Sequence, residues 1–174
     1  MVNAVRQPRK FAPSGTSRLA ADAFRPNIRK PNGPDQGRDQ TGRRPAVLLA
    51  YSGAGKRKYL AVLLESGGCE VTTCNDGRDA LARVETGSFD LVVTGIIMPS
   101  LDGLELVQAL RRRLAAPPVI AIADSKDKMD RIYLKNATLF GAVAAHTLCE
   151  TGKQLLKTVD WILRGRDVRT NIVW

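Results

Sequence analysis

A short apolar run that ends in proline constrains the fold of this chain more than any other stretch. Residues 90–103 read DLVVTGIIMPSLDG, and the segment Leu91–Gly95 has the length and β-branched content of a strand buried on both faces. Pro99 cannot donate a backbone hydrogen bond to a neighbouring strand, so the strand must end before it. Ligand chemistry collects at such strand ends in parallel sheets, and the residue there, Gly95, has no side chain.

The same alternation of strand and helix continues along the chain from Ala46. Each predicted strand is a short apolar run, and a turn and an amphipathic helix follow it. Such strands indicate a parallel sheet covered on both faces and joined by right-handed crossovers. The element count fits an α/β, flavodoxin-like three-layer sandwich with five strands in the order 2-1-3-4-5. The predicted strands are Ala46–Tyr51, Cys69–Cys74, Asp90–Gly95, Val119–Ala123 and Ala142–His146.

Side chains that can cap helices mark where two of the predicted helices begin. Asp102 is predicted to cap a helix that runs to about Ala115, and Ser125 or Asp124 to cap the next one. A basic triplet, Arg111–Arg113, lies in the last turn of the first of these helices. Positive charge complements the helix dipole there, which explains the triplet without a ligand.

The positive charge of the chain is concentrated in its first 45 residues. They hold ten Lys or Arg and three acidic residues, whereas the rest of the chain holds 17 basic and 14 acidic residues. Prolines, glycines and sparse apolar residues are typical of disorder. We therefore predict a basic arm over 1–45, a folded domain over 46–166 and a C-terminal tail over 167–174. The arm either contacts nucleic acid or an acidic partner, or is a solvated tail without a specific role.

Composition argues against a membrane protein and against a metal or disulfide framework. No apolar run approaches the roughly 20 residues of a membrane span, and no secretory signal is recognisable, so a cytoplasmic protein without membrane contact is expected. The three cysteines, Cys69, Cys74 and Cys149, lack metal-ligand spacing and are expected to be buried, reduced thiols. The single histidine, His146, has no catalytic motif beside it and is expected at a strand end or in the core.

Three segments of the predicted domain resemble the receiver domain of bacterial response regulators. They are CEVTTCNDGRDAL (Cys69–Leu81), FDLVV with IIMPSLDGLEL (Phe89–Leu106) and PPVIAIA (Pro117–Ala123). The pattern MPxxDG at Met98–Gly103 is specific when it follows a buried strand and opens a helix. The resemblance covers about Pro45 to Arg166 and implies the same flavodoxin-like fold.

The resemblance also implies five polar residues at the carboxyl edge of the sheet. In that family an aspartate ending the third strand accepts a phosphoryl group from a kinase's phosphohistidine, and two acids after the first strand hold Mg²⁺. A Thr or Ser ending the fourth strand and a Lys ending the fifth bind the same group. This chain has Gly95 at the acceptor position, Tyr51 and Ser52 at the acidic pair, Ala123 at the Thr or Ser position and Leu148 at the Lys position. Ala145 takes the place of the family's aromatic switch residue.

We therefore expect a degenerate receiver domain, or pseudo-receiver, that has no catalytic residue, metal or cofactor and is not an enzyme. Its expected role is a phosphorylation-independent protein-interaction module in two-component phosphorelay signalling. A histidine kinase, another regulator or a second copy is the expected partner, through the face formed by helix four, strand five and helix five. Asp124 is better explained by helix capping than as a replacement acceptor. The alternative function is a nucleic-acid or acidic-partner binder that works through the basic arm.

A glycine-rich turn after the first strand matches a phosphate-binding loop only in part. The full pattern needs Gly at Ala50 and Ser or Thr at Arg57, so nucleotide hydrolysis is not expected. Free amides at a helix N-terminus beside a lysine predict at most a weak anion site at Gly53, Gly55 and Lys56. A solvated basic turn is the alternative interpretation.

Overall fold

Five short strands form a single parallel sheet. The structure is a computed structural model, and it describes residues 42–125 and 127–164. The strands are β1 (Ala46–Ala50), β2 (Glu70–Cys74), β3 (Leu91–Gly95), β4 (Val119–Ala123) and β5 (Ala144–Thr147). Their order is β2-β1-β3-β4-β5, which confirms the predicted topology. Ala50 lies beside Cys74 and Thr94, and Ala123 lies beside Thr147, so the carboxyl ends of the strands meet at one edge.

Helices cover both faces of this sheet. They are α1 (Ala54–Ser66), α2 (Gly77–Thr86), α3 (Gly103–Arg111), α4 (Lys128–Phe140) and α5 (Thr151–Arg164), with a short 3-10 helix at Leu148–Glu150. Successive strand residues point to opposite faces. Leu48 and Val92 therefore pack with α2, α3 and α4, whereas Leu49 and Val93 pack with α1 and α5. The alternation produces two buried apolar layers, one on each side of the sheet.

The start of α3 is confirmed, and its end comes earlier than predicted. The Asp102 side chain accepts from the backbone N–H of Glu105, and the Glu105 side chain accepts from that of Asp102, which forms a capping box. The helix ends at Arg111 instead of near Ala115. Leu114 is fully exposed, so it does not extend the buried face of α3.

The start of α4 was predicted wrongly. Its N-cap is Asp127, whose carboxylate accepts from the N–H of Asp130, and neither Ser125 nor Asp124 caps the helix. Ser125 instead donates its N–H and its hydroxyl to Asp130 Oδ2, each at 2.8 Å. The following strand also starts later than predicted, because the N–H of Ala142 bonds to the last turn of α4.

Two residues of the basic triplet connect helices. Arg111 Nη1 donates to the carbonyl oxygen of Leu139 in the last turn of α4, at 3.2 Å, and Arg113 forms an ion pair with Glu85 of α2. The aliphatic part of Arg111 lies against Gly141, whose φ of 121° is in the region that glycine adopts most easily. The guanidinium of Arg111 thus supplies the cation that the C-terminus of a neighbouring helix favours.

Other predictions about the chain have mixed outcomes. Cys69 and Cys74 are buried and free, as expected, but Cys149 is exposed because it lies in the short helix after β5. His146 Nε2 lies 2.9 Å from Thr158 Oγ1, a structural contact between β5 and α5. Within the part of the chain that is described, no helix is long and apolar enough to cross a bilayer.

The predicted domain boundaries fall mainly outside the described residues. The arm predicted over 1–45 is described only from Gly42 onwards, and the tail predicted over 167–174 lies beyond the last described residue. Arg43 Nη2 lies 2.9 Å from Asp90 Oδ1, and Asp90 also accepts from the N–H of Ala46. Contacts with the folded domain therefore begin before β1.

Candidate functional site

Three of the five predicted site positions meet at the carboxyl edge of the sheet. Tyr51 follows β1, Gly95 ends β3 and Ala123 ends β4, and all three line one small cavity. Ser52 lies at the rim, where its hydroxyl donates to the carbonyl oxygen of Ile97 at 3.1 Å. Leu148 follows β5 and packs into the apolar layer on the α1–α5 side instead. The remaining residues of the cavity are Ile96, Ile97, Ile122, Asp124 and Asp130.

The aromatic ring of Tyr51 covers the end of β3. A Cβ atom placed on Gly95 would lie 3.0 Å from Tyr51 Cδ2 and 3.2 Å from Cε2, closer than side chains normally approach. The ring is well buried, because Tyr51 is only 4% exposed. The tyrosine therefore occupies the space into which a side chain at position 95 would extend.

The hydroxyl of Tyr51 takes part in a cluster with two charged residues. It donates to Asp124 Oδ1, and Lys56 Nζ donates to Asp124 Oδ2 at 2.8 Å. We call Tyr51, Lys56 and Asp124 the edge cluster. Its members come from the end of β1, the first turn of α1 and the residue after β4, and both carboxylate oxygens of Asp124 are engaged. The sequence analysis missed this cluster, since no spacing pattern links Asp124 to residues about 70 positions earlier in the chain.

The edge cluster changes the acid–base properties of its members. Burial raises the pKa of the Tyr51 hydroxyl well above its ordinary value, and the hydrogen bond to Asp124 and the nearby negative charges add to the shift. Burial acts to raise the pKa of Asp124, but hydrogen bonds from Lys56 and Tyr51 and the charge of Lys56 outweigh it and lower that pKa. Near neutral pH the cluster therefore holds a neutral phenol and a carboxylate.

Alkaline conditions are expected to weaken the fold through Tyr51. An unfolded tyrosine ionises near pH ~10. The folded chain keeps this proton to higher pH, so the stability that Tyr51 contributes is complete below about pH 10 and is lost as the pH rises further. Urea denaturation at about pH 8 and about pH 11 measures how much the free energy of unfolding falls between the two pH values. This fall should be smaller for Tyr51→Phe than for the wild type. Tyr59→Phe, which changes an exposed tyrosine of α1, should keep the wild-type loss; equal losses in all three proteins would contradict the assignment.

The residues present at this edge do not fit a magnesium ion. Mg²⁺ needs octahedral oxygen ligands and retains several waters, whereas the cavity measures about 20 Å³, room for about one water. Asp124 is engaged by Tyr51 and Lys56, and Asp130 accepts two hydrogen bonds from Ser125. Among residues 42–125 and 127–164, no three His, Cys, Asp or Glu side chains group together as metal ligands would.

The predicted anion site at the start of α1 stays a prediction. Gly53 and Gly55 lie at the N-terminus of the helix, with open space around Gly55. Lys56 is directed at Asp124, and Arg57 Nη1 donates to the carbonyl oxygens of Tyr51 and Ser52 at 2.5 and 3.3 Å. An anion in this turn would have to draw Lys56 away from Asp124.

Comparison with known proteins agrees with the fold and the sequence pattern. The sequence profile of the response regulator receiver domain matches residues 53–146, which is more than half of the chain. The chain belongs to the response regulator receiver domain family. The matched residues of this receiver domain include Gly95 and Ala123, and they exclude Tyr51, Ser52 and Leu148.

Individual relatives and solved structures are similar to parts of this chain. The alkaline phosphatase synthesis transcriptional regulatory protein PhoP of Bacillus subtilis is 33% identical over 69 residues, 40% of this chain and 29% of the relative. The chemotaxis response regulator CheY4 of Vibrio cholerae is 26% identical, with a TM-score of 0.59 over 68% of this chain and 98% of that structure. The receiver domain of a histidine kinase from Syntrophus aciditrophicus is 23% identical, with a TM-score of 0.63 over 75% of this chain and 97% of that structure.

Membership of the family assigns the chain to two-component signalling. Receiver domains are generally non-enzymatic signalling modules that interact with histidine kinases and other regulators. The chain spans less than a third of the length of curated relatives that it matches, PhoP among them. Activities of those longer proteins, such as the transcriptional regulation named for PhoP, therefore do not follow from the match.

Proposed function

We propose that this receiver domain acts without phosphorylation, as a protein-interaction module in two-component signalling. The observation that carries the proposal is the position of the Tyr51 ring, which lies where a side chain at Gly95 would extend. In the proposed alignment Gly95 takes the place of the family's phosphoacceptor aspartate. Glycine offers no nucleophile, and the ring excludes a phosphoryl group from the space above it.

The surroundings of Gly95 support the same proposal. Transfer of a phosphoryl group to a carboxylate depends on cations that neutralise the charge developing on its oxygens. The positions proposed for the metal-binding acids hold Tyr51 and Ser52, and those proposed for the two remaining binding residues hold Ala123 and Leu148. Two cations contact residues that line the cavity: Lys56 is paired with Asp124, and Arg57 donates to the carbonyl oxygen of Tyr51. No step of phosphoryl transfer can be built from these groups.

The proposed partner surface is the face formed by α4, β5 and α5. Met129 and Ile132 of α4 are three residues apart and are 53% and 43% exposed, so one side of this helix presents apolar surface to solvent. A histidine kinase, another regulator or a second copy of the chain would cover it. Because no chemical switch is proposed at the carboxyl edge, this face would be presented in one state at all times.

Incubation with a small phosphodonor such as acetyl phosphate and Mg²⁺ tests the proposed function. We expect the intact mass of the protein to stay unchanged. A receiver domain that has an aspartate at the acceptor position, treated in parallel, shows that the donor is reactive. Asp124→Asn is the second control, because Asp124 is the carboxylate beside the cavity that solvent reaches most easily. Stable phosphorylation of any aspartate in the wild type would overturn the proposal, and its loss in Asp124→Asn would identify a replacement acceptor.

A further inference from the structure

The edge cluster connects the end of β1 and the start of α1 to the first residue after β4. Lys56 lies in the first turn of α1, and Asp124 is the first residue after β4, 68 positions further along the chain. Tyr51 reaches the same carboxylate from the end of β1. One carboxylate therefore ties the start of α1 and the end of β1 to the segment that leads into α4.

Ser125, the second residue after β4, is also held by a residue of α4. Ser125 donates twice to Asp130 Oδ2, and Asp127 caps the N–H of Asp130 at 2.8 Å. Asp130 is nearly buried, at 6% exposed, so its carboxylate depends on these donors. Asp124 is thus held by the edge cluster, and Ser125 beside it is held by Asp130 of α4.

We propose that the edge cluster is a permanent clamp, with Tyr51 as a positioning residue, that holds Asp124, Ser125 and the first turn of α4 in one conformation. The phenol is the part of the clamp that solvent cannot easily replace, because Tyr51 is buried against Gly95. Lys56 is about half exposed, so its ion pair with Asp124 stabilises the clamp less than the hydrogen bond from Tyr51 does. The clamp deepens the proposed function, since the first turn of α4 carries Met129, and Ile132 follows on the same side of the helix.

Hydrogen exchange of the full chain, measured without phosphodonor or metal, tests the clamp. Tyr51→Phe keeps the ring over Gly95 and removes only the hydroxyl. We expect amides in residues 125–133 to exchange about tenfold faster in this variant, the effect of losing one hydrogen bond to a charged group. Lys56→Met should increase exchange of the same amides by about twofold.

Matched variants on α1 provide the controls. Tyr59→Phe and Lys58→Met remove the same groups from exposed positions of that helix and should leave exchange in residues 125–133 at the wild-type rate. Unchanged exchange there in Tyr51→Phe would overturn the clamp. Faster exchange spread equally over all helices would also contradict it, because this would report a loss of global stability. Phosphorylation of the protein would refute the proposed function and leave this result intact, so the two failures are distinguishable.

Discussion

Gly95→Asp is expected to destabilise the domain by about 3 kcal/mol, although aspartate is the residue that the family resemblance implies at this position. The new Cβ would lie 3.0 Å from the Tyr51 ring, and the carboxylate would enter a cavity of about 20 Å³. Two further carboxylates, those of Asp124 and Asp130, already line this cavity. The variant therefore combines steric overlap with a poorly solvated charge beside like charges.

Urea denaturation of three variants at this position separates these contributions. Gly95→Ala adds only the Cβ atom and should lose about 1 to 2 kcal/mol, whereas Gly95→Asn adds the shape of aspartate without its charge and should fall between the other two. In Gly95→Asp combined with Tyr51→Ala, the loss should be smaller than the sum of the two single losses, by about 1 kcal/mol or more. Wild-type stability of Gly95→Asp would show that the ring yields easily and would contradict the packing described above.

Gly103→Ala is the second variant with a large expected effect, a loss of about 3 kcal/mol or more in the free energy of unfolding. Gly103 is the first residue of α3, and its N–H donates to the carbonyl oxygen of Ile96 at 2.8 Å. A Cβ atom there would lie 2.0 Å from the carbonyl oxygen of Gly95 and 3.0 Å from Ile96 Cα. These are backbone atoms, so the overlap is relieved only if the end of β3 or the start of α3 moves.

Gly55→Ala is the matched control for this variant. Gly55 also lies in the first turn of a helix, but a Cβ atom there would meet no atom within 4 Å. Alanine favours the helix by up to about 1 kcal/mol over glycine, so Gly55→Ala should be as stable as the wild type or slightly more stable. A loss below about 0.5 kcal/mol for Gly103→Ala would mean that the contact between α3 and β3 is looser than the distances indicate.

The strands follow from the sequence because local patterns determine them, and their order follows from the fit of the element count to a doubly wound parallel sheet. Short apolar runs separated by turn residues leave few alternatives to a parallel sheet, and the Pro99 and Asp102 signals place the end of β3 and the start of α3. The start of α4 was less predictable. Three residues are of types that cap helices well: Asp124, Ser125 and Asp127. The choice among them depends on Asp130, whose carboxylate accepts hydrogen bonds from the hydroxyl and the N–H of Ser125.

The sequence predicted the candidate site only as a place where the polar side chains implied by the family resemblance are missing. The absence of a side chain at Gly95 is visible in the sequence, but the direction of the Tyr51 ring is not. The ring is placed by an aspartate 73 positions away along the chain, and its burial depends on packing at the sheet edge. Contacts of this kind leave no periodic pattern, which is why the sequence indicated an empty site and the structure contains a filled one.

The contact between the Tyr51 ring and Gly95 has a consequence for how this receiver domain can evolve. Any path back to an acceptor that changes one residue at a time passes through an unfavourable intermediate. Changing Gly95 first creates the overlap with the ring. Changing Tyr51 first removes a buried aromatic side chain and leaves a void, which typically destabilises a protein by several kcal/mol, about 3 to 5. The two residues are therefore epistatic, and their pairing makes the proposed loss of phosphorylation difficult to reverse by single substitutions.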